Sequence, residues 1–104
     1  MLKKIIWVVA TLMCSFAWGA DSPEIKALKK DMPQDVVLMI DRILECNHWN
    51  GEETTNKDRI AKINAAREKF GCDALPADQA ALRKRYQNNY EVKNRLNNAE
   101  QIFY

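Results

Sequence analysis

Side chains with special chemistry are scarce in this chain. Its 104 residues include one histidine, three glycines, three prolines and three cysteines. Serine occurs only as Ser15 and Ser22. A Ser-His-Asp machine would have to bring Ser22 to His48, yet Ser22 reads as a helix cap, so serine catalysis is not expected. Phosphate-cradling loops need closely spaced glycines. Past residue 20 the chain has only Gly51 and Gly71, which argues against a nucleotide enzyme.

Charge of one sign is also lacking. Lys plus Arg is 16 and Asp plus Glu is 14, a formal charge of +2. Lys3 and Lys4 account for that excess, and without them basic and acidic residues balance. A near-neutral domain has no electrostatic surplus with which to release counterions from phosphate, so no nucleic-acid partner is expected. The basic triplet Arg83-Lys84-Arg85 fans around a helix instead of forming one patch.

A long hydrophobic run is missing too. The apolar stretch over residues 5–20 has 16 positions, short of the roughly 20 that span a bilayer. It follows Lys3 and Lys4 and ends at Ala17-Trp18-Gly19, with small residues where a signal peptidase reads them. Residues 1–19, or 1–20, are therefore predicted to be a cleaved secretory signal of bacterial type. The remainder, 20–104, is expected to be one domain, periplasmic or secreted, with no membrane attachment. Cys14 is a poor lipoprotein anchor, because Thr11-Leu12-Met13 before it are not small.

Export decides how the cysteines read. Cys14 leaves with the signal, and Cys46 and Cys72 remain as an even pair in an oxidising compartment, so a disulfide is expected. With a sequence separation of 26, the chain-entropy estimate is about 3.5 kcal/mol.

What is abundant is helix punctuation. Ser22-Pro23-Glu24 supplies a cap, a first-turn proline and a first-turn acid for a helix over 23–31, with Ile25 and Leu28 inward. Pro33 opens a second helix over 33–46, whose Val36, Val37, Ile40, Ile43 and Leu44 recur at helical spacing, with Leu38 and Met39 widening the stripe. Thr55 or Asn56 can cap a third helix over 56–70, with Ile60, Ile63, Ala66 and Phe70 inward and Gly71 just past its end. Pro76 opens a fourth over 76–88 with Leu82 and Tyr86 inward. Asn88-Asn89 interrupts the pattern before a fifth over 90–103, carrying Val92, Leu96, Ala99 and Ile102 or Phe103. The expected fold is all-α: a small single-domain bundle of four to five short helices stapled by Cys46–Cys72.

Residues 47–55 read as the least regular segment, with Asn50-Gly51 a strong turn dipeptide. If Cys46 ends the second helix, a tight hairpin cannot bring Cys72 back to it. The 47–55 segment would then be extended, pinned at both ends and laid over the helices. His48, Trp49, Glu52 and Glu53 fall there and are the candidate binding residues. Trp49 has two readings, a plug where helix ends meet the disulfide or the anchor of a recognition surface. Glu52 and Glu53 alternate across an extended chain and lie before a helix N-terminus, where negative charge is stabilised. A metal site would draw on His48 and the carboxylates alone once both cysteines are oxidised, which falls short of the ligands zinc prefers. No cofactor is expected.

These exclusions favour an exported protein that binds another protein, of inhibitor, immunity or adaptor type, and enzymatic activity is not expected. A periplasmic acid- or stress-related chaperone is the alternative. Protonating the carboxylates would leave the fourteen Lys and Arg outside the leader plus His48 charged, a state that permits acid expansion. A weak metal-binding protein or a small enzyme using Glu52, Glu53 and His48 ranks third.

Overall fold

The computed structural model describes residues 22–103, so the predicted leader, with Lys3, Lys4 and Cys14, lies outside the described residues. Five helices follow one another: α1 (Pro23–Lys29), α2 (Gln34–Asn50), α3 (Lys57–Lys69), α4 (Leu75–Arg85) and α5 (Tyr90–Glu100). The fold is all-α, with no strand among the described residues.

Three helices begin on side-chain caps. Ser22 Oγ accepts from Ile25 N at 3.3 Å. Asn56 Oδ1 accepts from Arg59 N at 2.9 Å, and Asn89 Oδ1 from Val92 N at 3.0 Å. Each satisfies an amide that the first helical turn leaves without a partner. Where Asn-Asn was expected only to interrupt the chain, Asn89 is itself the start signal of α5.

The core gathers on α2. Val36, Met39, Ile40, Ile43 and Leu44 are buried there against Leu28 of α1, Leu82 of α4, and Val92, Leu96 and Ala99 of α5. Ile25, Tyr86 and Ile102 pack against its edge. Leu38 does not belong to the stripe: it is 54% exposed, and Phe103 is 69% exposed. On α2 the one-residue step from Leu38 to Met39 is a rotation of about 100°, enough to carry a side chain from solvent to core.

Three helix C-termini are closed by side chains from a neighbouring helix. Arg95 of α5 donates to the carbonyls of Ala27 (2.8 Å), Leu28 (3.1 Å) and Lys30 (3.1 Å) at the end of α1. Asn47 of α2 donates to Ile102 O at 3.0 Å, just past the end of α5. Arg42 of α2 donates to Phe70 O and Gly71 O, both at 2.9 Å, just past the end of α3. Its remaining nitrogen meets Asp78 in the first turn of α4 at 3.0 Å. Terminal carbonyls carry partial negative charge, so a guanidinium there is favoured by the helix dipole as well as by hydrogen bonding.

Cys46 and Cys72 are joined, with Cα atoms 5.6 Å apart. The route to that bond differs from the sequence reading. Cys46 lies inside α2, which runs one further turn to Asn50. Residues 47–50 contain neither proline nor glycine, so nothing stops the ladder until Gly51, whose amide still donates to Asn47 O at 3.1 Å. With that extra turn, α3 can fold back beside α2 in the opposite sense. Its first turn meets the end of α2 through Arg59 and Trp49. Its far end returns to Arg42 and Cys46. The irregular link is thus 51–56, shorter than expected.

The face of α3 is also rotated from expectation. Ile60 is exposed at 40%. The inward positions are Arg59, Ile63, Ala66, Arg67 and Phe70, all half-buried. An arginine replaces the isoleucine on that face because its charge is answered by Glu52. The other helices end earlier than periodicity alone indicates: α1 at Lys29, α3 at Lys69, α4 at Arg85 and α5 at Glu100. After α1 the chain turns at Asp31, which adopts φ 61°.

Candidate recognition surface

The last turn of α2 and the 51–56 link build the surface. Trp49 is half-buried and lies outside the hydrophobic core. Its indole Nε1 donates to Glu45 Oε1, one helical turn earlier, at 3.2 Å. The guanidinium of Arg59 lies over its ring, 5.1 Å from the centroid. The His48 ring meets it edge-on at 5.0 Å. A tryptophan held on three sides keeps one rotamer without being sealed from solvent.

Arg59 is also the partner of Glu52. Its Nε donates to Glu52 Oε2, and its Nη2 donates to Glu52 Oε1 at 2.7 Å, a bidentate pairing. This hydrogen-bonded guanidinium holds the Glu52 carboxyl below the usual carboxylate range. The carboxylate in turn raises Arg59. A carboxylate tied up in this way is a poor general base, because its lone pairs are already engaged.

Of the four predicted residues, the structure brings together His48, Trp49 and Glu52, around Arg59. Glu53 is exposed. Sequence reasoning missed Arg59, Glu45 and Asn47, and it placed Phe103 only as an alternative core residue. The spacing of Glu45 to Trp49, one helical turn, was a readable signal once 47–50 was known to be helical. Nothing local marked Arg59, because its partners sit on another element. Phe103 joins the surface because Asn47 holds the chain past α5 against α2. With Asn47, His48, Gly51 and Glu52 it lines a shallow open groove.

Among the described residues, no group of three or more His, Cys, Asp and Glu side chains gathers to hold a metal ion. No helix among them is long and apolar enough to cross a membrane. Comparison with protein-family models, curated proteins and solved structures finds no match for this chain.

Proposed function

We propose that this chain is an exported protein, periplasmic or secreted, that acts by binding another protein through the end of α2. The observation that carries this reading is the setting of Trp49. It sits outside the core, fixed by Arg59, Glu45 and His48, with an exposed phenylalanine beside the same turn. Binding hot spots favour tryptophan and arginine held rigid amid polar neighbours. Fixing such side chains beforehand lowers the entropy lost on association. Glu52 serves here as a brace for Arg59, and the inhibitor, immunity or adaptor class fits a domain whose resources go into presenting one surface.

Trp49→Ala tests this. The variant should melt within a few degrees of the parent, because the ring supports no core residue, and should lose capture of its periplasmic partner. If Trp49→Ala collapses the fold, the ring is structural and the recognition reading fails. If Trp49→Ala and Phe103→Ala both leave every captured protein in place, it also fails.

A further inference from the structure

We infer that residues 51–71, carrying α3, form a redox-released arm: reducing Cys46–Cys72 frees this segment from α2 while the core of α1, α2, α4 and α5 stays folded.

The argument rests on how differently α3 is attached. It contributes no buried residue, whereas α1, α2, α4 and α5 all place side chains in one shared core. Its inward face offers Ile63, Ala66 and Phe70 only half-covered. Isolated helices of about 12–15 residues are marginal in water, so 13 residues of which none is fully buried need outside anchors. Those anchors sit at the two ends. At the start the anchor is the stacking of Arg59 on Trp49 of α2, with Glu52 of the link holding the guanidinium in place. At the end they are the Arg42 hydrogen bonds and the disulfide. The polar contacts are partly exposed and individually weak. The covalent bond is the one anchor that does not fluctuate open. Past it, Leu75 and Leu82 hold α4 to the core independently, so release stops near residue 72.

The chemistry is thiol–disulfide exchange with a dithiol reductant. Cys46 is fully buried and Cys72 is 7% exposed, so attack falls on the Cys72 sulfur. A reductant thiolate bonds to Cys72 Sγ, and Cys46 departs as a thiolate and takes up a proton. The reductant's second thiol then displaces Cys72, which is protonated in turn. Two electrons and two protons reach the protein, and the dithiol becomes a disulfide. Release also removes Arg59 from the Trp49 ring. That consequence for recognition rests on the proposed function, whereas the release itself does not.

Amide hydrogen exchange, read by peptide mass spectrometry, decides the matter. It would compare the oxidised chain, the chain held in dithiothreitol, and a Cys46→Ala/Cys72→Ala double variant that lacks the bond whether or not reductant reaches it. Amides of 57–69 should exchange faster by at least about tenfold in both bond-free forms, while those of 90–100 and the first half of α2 change little. Unchanged protection in 57–69 of the double variant would overturn the inference. So would loss of protection throughout the chain, since the bond would then be holding the whole domain. Partner capture by the same forms is read separately and bears only on the recognition surface.

Discussion

The two flanks of α2 are stabilised by different physics. On one side α5 presents Val92, Leu96 and Ala99, each fully buried, against Val36, Ile40 and Ile43. On the other side α3 presents a half-buried face in which arginines alternate with small and apolar residues. The first flank is hydrophobic packing, distributed over many atoms and insensitive to pH or redox state. The second is a covalent bond and a few charge-assisted hydrogen bonds at the helix ends, each tied to particular atoms. A short domain with too little apolar surface to pack every helix can retain one by stapling it. The stapled flank also builds the candidate surface, because Arg59 of α3 completes the setting of Trp49.

Substitutions should break this comparison unevenly. Ile40 is fully buried, and Ile40→Ala should cost about 2–5 kcal/mol through transfer and cavity terms. Ile63→Ala on the inner face of α3 should cost less than about 1 kcal/mol, because its burial is partial. Chemical denaturation of the two variants measures the contrast directly. Equal losses would mean that α3 belongs to the core after all.

A smaller effect is expected where α3 ends. Gly71 has φ 61°, and an added Cβ would lie 3.1 Å from Arg42 Nη2. Gly71→Ala should cost about 1–2 kcal/mol for the left-handed backbone, and it should disturb the Arg42 bridge between α3 and α4. In a double-mutant cycle with Arg42→Ala, the two changes should be non-additive. Strict additivity would separate Arg42 from the α3 terminus.

The smallest effect is on pH. The carboxyl of Glu52 titrates lower in the folded protein than its ordinary value of 4.5. Its contribution is therefore complete above that value and disappears as pH falls through the lower folded-state value. Between the α2 and α4 ends the direction reverses. Tyr86 OH donates to Asp35 Oδ1 at 2.8 Å, which raises the phenol above 10.0. That contribution is complete below 10.0 and lost as pH climbs through the raised value. Glu52→Gln should flatten the acid limb of a stability profile without altering the alkaline one, whereas Tyr86→Phe should flatten the alkaline limb and also part of the acid one, because the same hydrogen bond holds the Asp35 carboxyl below its ordinary value. If Glu52→Gln leaves the acid limb unchanged, the pair with Arg59 does not help hold α3.

Much of this architecture was legible in the residues. Ser22, Pro33, Asn56, Pro76 and Asn89 mark where helices begin, because caps and prolines act on the nearest few amides. The buried stripes of α2, α4 and α5 follow from apolar spacing, and the pairing of Cys46 with Cys72 from their being the two cysteines outside the predicted leader. What local pattern could not supply was how far α2 runs, which face of α3 turns inward, and what surrounds Trp49. Asn47-His48-Trp49-Asn50 is polar enough to read as loop, yet it continues as helix because no residue there breaks the ladder and the buried Cys46 anchors it. Ile60 looks like a core residue by composition, but the disulfide and the Glu52–Arg59 pair set the rotation of α3. Arg42, Asn47, Arg59 and Arg95 give no local sign of their roles. Each acts on atoms of a different element, so its partners exist only once the chain has folded. Short-range interactions determined the helices, and long-range polar contacts and one covalent bond decided how α3 and the candidate surface sit on them.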